Sequence, residues 1–361
     1  MPPHQLIDQI DPAISQAYDD HMTTRRGRRE PLYPPTVLAR AADVADRDPL
    51  VYGPVLRQSL QEHIESFSSD YGVDVRPVLA ASFLVNLLTE DNLPYYTHKN
   101  LGVAGSNETL QTWVREWTAE EDAHGVIMRD YALLSGLIGD AGVIDHATYH
   151  AGRSRQLRSG TEIDPPTSFD ALAYLTLQEH LTKEAHNALG WLLDRRGRSV
   201  LRPIGGDEHN HFEFYFALSR AALAVDPDAT LIGMRDVYRG FDMPGKLGIP
   251  GFTDLAATIG LSGIFDLGTI ARSMQRIVTK LDVESVTTTT DAGRAAQDEV
   301  LELAGDAGVG RQESLMETLR SQVSTEPGAD GLRTFLLGVT IDFERVDTGA
   351  GARIVGLQAV A

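Results

Sequence analysis

The chain is expected to fold as an all-α, ferritin-like four-helix bundle with additional peripheral helices and a pair of metal ions in the bundle core. Three observations predict this. A Glu precedes a Glu-x-x-His motif twice: Glu90 lies 31 residues ahead of Glu121 in Glu121-Asp122-Ala123-His124, and Glu179 lies 29 residues ahead of Glu208 in Glu208-His209-Asn210-His211. Such a gap holds one helical hairpin. One Glu from each of two helices, with Glu-x-x-His from each of two others, is the ligand set of a carboxylate-bridged two-metal site. The candidate ligands also share helical stripes with Leu, Trp, Phe and Met rather than with Lys and Arg. Finally, 361 residues at 42% hydrophobic are ample for one large core with a small appendage.

Taken in order, residues 1–75 read as an N-terminal arm and peripheral helix. Residues 1–50 are polar and mixed, an irregular arm with a short helix near 36–46, and 54–67 form an amphipathic helix. The bundle domain is expected over 76–304. Its first helix spans 76–104, with Phe83, Leu87 and Glu90 on one stripe and a kink or break near Asn92 because Pro94 lies inside the pattern. The second spans 107–136, capped by Asn107, with Val114, Trp117, Glu121, His124 and Met128 on one face. A shorter helical piece lies near 141–157. Pro165-Pro166 stops the chain, and Ser168 can cap the third helix, 169–195, whose stripe runs Leu172, Leu175, Glu179, Thr182, His186, Leu189. The fourth spans 202–225, with Pro203 tolerable in its first turn, and carries Glu208 and His211. Four further helical stretches fill 229–304. In a C-terminal extension, 306–361, residues 310–323 read as helix, 324–331 as turn and 335–346 as strand-like, with no role assigned.

Residues three apart on a helix point to one side, so Glu-x-x-His aims a carboxylate and an imidazole at one spot. Oxygen ligands with imidazole suit iron or manganese better than a closed structural zinc site. With eleven His in the chain, about 0.6 Glu-x-x-His matches are expected by chance, so one match is weak and two with matching upstream Glu are not. Six ionisable groups aimed into an apolar core would be very costly without metal. Thr182, one turn after Glu179, could set its hydroxyl beside the metals or bond back to its own helix. Asp207 is placed to orient a ligand imidazole. His186 reads as a supporting or core histidine and His209 as exposed. His98, His146 and His150 have no partner pattern.

Composition narrows the chemistry. There is no cysteine, so disulfides, zinc–thiolate sites and a built-in iron–sulfur cluster are excluded and electrons must come from outside. The net charge, 32 − 51 = −19, argues against nucleic acid or anionic membrane as the main partner. No apolar run is long enough to span a membrane and the N-terminus lacks the apolar stretch of a signal peptide, so a cytoplasmic location is expected.

Several segments resemble the soluble acyl-carrier-protein desaturases of the stearoyl type. WTAEEDAHG (117–125) is similar to that family's WTAEENRHG, and TEDNLPYY (89–96) to TEEALPTY. LQEHLT (177–182) is similar to FQERAT, and GDEHNHFEFY (206–215) to ADEKRHETAY. FDMPGKL (241–247) and the stretch 281–303 also resemble its closing region, so the likeness covers about 80–303. Residues 1–75 do not match it well, and the family's N-terminal tryptophan has no counterpart there.

The resemblance implies iron ligands Glu90, Glu121, His124, Glu179, Glu208 and His211. It places Thr182 at the family's active-site threonine and Asp207 at the acid preceding the second Glu-x-x-His. It further implies two Fe ions per chain, O₂ with an external electron donor such as ferredoxin, acylated acyl carrier protein as partner, and a homodimer. The expected reaction is insertion of a cis double bond into a long acyl chain, with Thr97, Leu101 and Met128 nominated by helical phase as tunnel wall or ordinary core. A diiron oxygenase or hydroxylase, and less readily a ferritin-like iron-binding protein, share the ligands. An acidic carrier would need a local basic patch on this acidic chain. Arg25-Arg26-Arg28-Arg29, Arg153-Arg155-Arg158 and Arg195-Arg196-Arg198 are the candidates.

Overall fold

The computed structural model describes residues 3–27, 76–91, 93–138, 167–193, 195–241, 243 and 252–323, with four short strands between 339 and 359. The expected helices at 36–46, 54–67 and 141–157, the Arg153-Arg155-Arg158 cluster and the turn at 324–331 lie outside the described residues.

Two helices, α1 (Pro3–Gln9) and α2 (Asp11–Gly27), open the chain. This corrects the expectation of an irregular arm. Leu6, Ile10, Ile14 and Ala17 recur at helical spacing and are all buried, while Pro12 sits in the first turn of α2, where its missing N–H costs nothing.

The first long pattern divides, as Pro94 predicts, into α3 (Arg76–Glu90) and α4 (Leu93–Ala104). Glu90 is therefore the last residue of α3. The second bundle helix, α5 (Glu108–Ser135), begins where Asn107 accepts a hydrogen bond from the Leu110 N–H at 2.8 Å. It ends on Gly136 in the left-handed conformation, φ 72°. Gly125, next to His124, lets α3 end close by: a Cβ there would lie 2.8 Å from Asp91 Oδ1.

The third helix, α6 (Ser168–Leu192), is capped by Thr167 rather than Ser168, Thr167 Oγ1 accepting from the Asp170 N–H. The extended backbone of Thr167 (φ −142°, ψ 164°) is the geometry a cap needs. The fourth, α7 (Arg195–Val225), starts seven residues earlier than its periodicity suggests, so Pro203 is interior rather than in the first turn. A proline there removes one rung of the helix. Burial of Val200, Leu201 and Ile204 around it holds the helix through the gap. Gly205 keeps α7 against α6, since a Cβ would meet Asn187 Oδ1 at 2.9 Å.

Helices α3, α5, α6 and α7 form the bundle. One apolar cluster fills one end, with Phe83, Leu87, Met128, Leu189 and Leu201. A second fills the other end, where α1 and α2 join Trp113, Trp117, Leu172 and Leu218. The candidate ligands fall between the two along each helix. The outer face of α6 and α7 is covered by α8 (Pro227–Gly240), α10 (Leu267–Lys280) and α11 (Asp291–Ala304) through a third cluster including Leu181, Phe216, Met234, Ile277 and Val300. Helices α9 (Phe252–Ser262) and α12 (Asp306–Val323) complete the shell. The strand-like reading of 335–346 is met in part. β1 (Val339–Thr340) pairs antiparallel with β4 (Gln358–Ala359), and β2 (Arg345–Thr348) with β3 (Gly351–Ile354). None of the described helices is long and apolar enough to cross a membrane.

Candidate metal centre

All six candidate ligands meet in the bundle interior. Glu179, Glu208, His124 and His211 are fully buried, and Glu90 and Glu121 nearly so. They form two overlapping groups, Glu90–Glu121–His124–Glu208 and Glu121–Glu179–Glu208–His211, with the ligand atoms of each group all within 4.8 Å of one another. Glu121 and Glu208 belong to both. The arrangement is that of two neighbouring cation positions sharing two carboxylates, each completed by one further Glu and one His.

The imidazoles are held alike. His124 turns Nδ1 inward, 3.3 Å from Glu121 Oε2, 3.4 Å from Glu208 Oε1 and 3.8 Å from Glu90 Oε2. Its outward Nε2 lies 3.3 Å from Asp207 Oδ2, the place the sequence suggests for that acid. His211 turns Nδ1 inward, 3.0 Å from Glu121 Oε1 and 3.6 Å from both Glu179 Oε2 and Glu208 Oε2. Its outward Nε2 meets Glu120 Oε2 at 3.0 Å. An outward N–H donated to a carboxylate fixes the tautomer that leaves Nδ1 free for a metal.

Electrostatics make the same point. Burial alone would depress both histidines, but the surrounding carboxylates outweigh it and raise His124 and His211 well above the ordinary range. Burial, together with the neighbouring Glu208 and Glu121 charges, pushes Glu179 well up. Glu208 and Glu121 are buried too, yet the two imidazoles facing them hold them low. Among the described residues, both oxygens of Glu179 and of Glu208, and Nδ1 of His211, have no hydrogen-bond partner. Buried polar atoms are ordinarily satisfied. These converge on one another, and the oxygen-rich donor set fits two divalent cations of the iron or manganese type.

Other expectations resolve individually. His186 supports the cluster, its Nε2 lying 3.0 Å from Glu90 Oε1. His209 is exposed. Thr182 Oγ1 donates to Gln178 O at 2.9 Å, so the back-bonded alternative is the one adopted. Thr97 Oγ1 lies 2.8 Å from Thr118 Oγ1, Leu101 is half-buried against the second apolar cluster and Met128 is fully buried. Sequence reasoning missed Glu120, His21 and Trp113. Glu120 is hidden by its neighbour Glu121, which carries the motif. His21 extends the buried stripe of α2 by one turn, a signal that was legible.

The family model described as fatty acid desaturase matches residues 57–326, about three quarters of the chain and more than the 80–303 that the motifs cover. DesA1 of Mycobacterium tuberculosis, named for acyl-(acyl-carrier-protein) desaturase activity, is 28% identical over 197 residues, covering 52% of this chain and 56% of its own. The chloroplastic stearoyl-(acyl-carrier-protein) 9-desaturase of Solanum tuberosum is 28% identical over 264 residues, 68% of this chain and 64% of that protein. The chain thus spans a little over half the length of the curated relatives it matches. The crystal structure of DesA2 from Mycobacterium tuberculosis matches with a TM-score of 0.43 at 16% identity, over 68% of this chain and 98% of that one, too slight a likeness to carry an argument. With the family model spanning the whole four-helix core and both Glu-x-x-His motifs, this chain belongs to the fatty acid desaturase family.

Proposed function

We propose that the protein is an O₂-dependent diiron desaturase that inserts a cis double bond into a long acyl chain carried on acyl carrier protein. The observation that carries this reading is the buried six-ligand cluster with two shared carboxylates. A saturated methylene is neither acidic nor polar, so no side-chain base removes its proton at neutral pH. Two iron ions, held by Glu90, Glu121, His124, Glu179, Glu208 and His211, would supply O₂ activation and hydrogen abstraction.

The protein's own groups do the rest. Glu121 and Glu208 set the spacing of the two positions, and Asp207 and Glu120 aim the imidazoles. The apolar clusters at both ends of the site exclude water. In this reading Thr97, Leu101 and Met128 border the acyl chain, and the Thr182 hydroxyl stands one turn from Glu179. Electrons come from an external one-electron donor of the ferredoxin type, since the chain has no cysteine to hold a cluster. The working unit is a homodimer, with a light-scattering mass near twice the 39.4 kDa of one chain.

The test is incubation with reduced ferredoxin, O₂ and palmitoyl- or stearoyl-carrier protein, followed by mass spectrometry of the acyl group. Loss of two hydrogens is expected. Gain of one oxygen would make the enzyme a hydroxylase, and no change with an iron-loaded sample would refute the reading.

For carrier docking, the Arg195-Arg196-Arg198 cluster stands out among the described residues. Trp191, 69% exposed, lies under the Arg198 guanidinium at 4.1 Å, and Arg198 also donates to Trp191 O at 3.2 Å. A held cation beside an exposed ring, on a chain of net charge −19, suits an acidic partner with an apolar edge. Replacing all three arginines with Glu should raise KM for acyl carrier protein roughly tenfold or more with iron content unchanged. An unaltered KM would exclude this patch.

A further inference from the structure

We propose that the N-terminal arm is part of the metal centre, with His21 on α2 acting as a positioning residue that holds Glu120 against His211. The inference rests on the metal-centre reading above and extends it to a segment where the family resemblance is weak.

The geometry is a chain of three side chains. His211 Nε2 lies 3.0 Å from Glu120 Oε2, and His21 Nε2 lies 3.8 Å from the other oxygen, Glu120 Oε1. The second separation is longer than a hydrogen bond and short enough for charge attraction or a water bridge. His21 is 8% exposed, and neither ring nitrogen has a hydrogen-bond partner among the described residues. A buried imidazole without a hydrogen bond carries a desolvation cost, and it faces the Glu120 carboxylate, which can offset part of that cost. Trp113 holds the stack from the side, 4.7 Å from His21 and 5.8 Å from His211 between ring centroids, both edge to face.

The arm is anchored independently of His21. Leu6, Ile10 and Ile14 are essentially unexposed, and Asn107, the cap of α5, donates to Asp11 Oδ1 at 2.6 Å. Its last buried turn therefore meets Glu120 at a fixed height. The other imidazole is backed differently: Asp207 lies on α7, beside Glu208 in the chain. One half of the centre is thus braced from within the bundle, the other through a helix about a hundred residues earlier in the chain.

The experiment is anaerobic loading of the full chain with Fe(II), followed by release to a chromogenic chelator, with no turnover involved. In wild type, two equivalents should load. In His21→Ala one equivalent should leave about tenfold faster and the other at the wild-type rate, in line with the effect of removing an outer-shell partner. Glu120→Gln should speed the same equivalent at least as much, and the double variant should not exceed Glu120→Gln alone, because His21 acts through Glu120. His21→Gln, which keeps a donor at that height, should fall between wild type and His21→Ala, and it carries the test should the alanine variant not fold. Unchanged release in both His21 variants, equal acceleration of both equivalents, or additive effects with Glu120→Gln would each overturn the proposal. A wild-type chain that loads no metal pair would overturn the metal-centre reading itself, before any variant is made.

Discussion

The two halves of the centre have the same ligand pattern and unequal support. In the Glu90–His124 half, the carboxylate is met by His186 at 3.0 Å and the imidazole by Asp207 at 3.3 Å. Both supports come from α6 and α7, inside the bundle. In the Glu179–His211 half, the imidazole is backed by Glu120 at 3.0 Å, and neither oxygen of Glu179 has a hydrogen-bond partner among the described residues. Burial and the charges of Glu208 and Glu121 also push Glu179 up. A repeated motif therefore reproduces the candidate ligands, and the layer behind them is set by whichever residues tertiary packing brings there. The Glu179 side is the one whose carboxylate would depend most on a bound cation for its partner.

The largest expected effect tests the sharing itself. Glu121→Ala or Glu208→Ala should abolish both positions together, so metal content falls from about two to near zero per chain. Glu90→Ala or Glu179→Ala should leave about one. Elemental analysis with protein quantitation decides, and an E121A protein retaining one tightly held metal would show that the two positions do not share that carboxylate.

Next come the braces. Asp207→Asn and His186→Phe should each weaken metal retention in the Glu90 half by roughly ten- to a hundredfold, as removal of outer-layer partners generally does, with the Glu179 half little changed. Competition with a calibrated chelator reads both halves. If either variant weakened the two equivalents equally, the support would not be divided as the distances suggest.

The smallest effect contrasts these histidines with His180, buried on α6 one residue after Glu179. Carboxylates raise His124 and His211, whereas burial and the cations Lys183, Arg276, His209 and Lys280 lower His180 to about 3. Glu184, 3.9 Å away, does not offset them. A depressed pKa means that the folded chain keeps His180 neutral while the unfolded chain binds a proton below its ordinary value of 6.5. Its contribution to stability is then full above about pH 6.5 and lost as pH falls toward 3. His180→Gln should flatten the fall of Tm across that window and leave Tm at pH 8 nearly unchanged. An unaltered slope would show that other groups carry the acid sensitivity.

Much of this was legible in the residues, for reasons that differ by element. The break at Pro94 and the Asn107 cap are local events, governed by one ring or one side chain, and both stand where expected. The start of α7 was misjudged because Pro203 is a strong local stop signal, and the burial of Val200 and Leu201 that overrides it is a tertiary quantity. The N-terminal helices were missed although Leu6, Ile10, Ile14, Ala17 and His21 keep helical spacing, because polar neighbours and Pro12 mask the stripe over so short a segment.

What the sequence by itself determined is the set of candidate ligands. Two Glu-x-x-His motifs, each with an upstream Glu at hairpin distance, are bound to helical geometry: three residues make nearly one turn, and one turn puts both side chains on one face. Only the tertiary structure decided that Glu121 and Glu208 are shared, and that Asp207 backs one imidazole while Glu120 and His21 stand behind the other. Those pairings join residues 83, 91 and about a hundred positions apart. No period or propensity encodes such a distance. It is set by how the apolar faces of α2, α5 and α7 pack, since burying those faces brings the polar groups on their edges into contact.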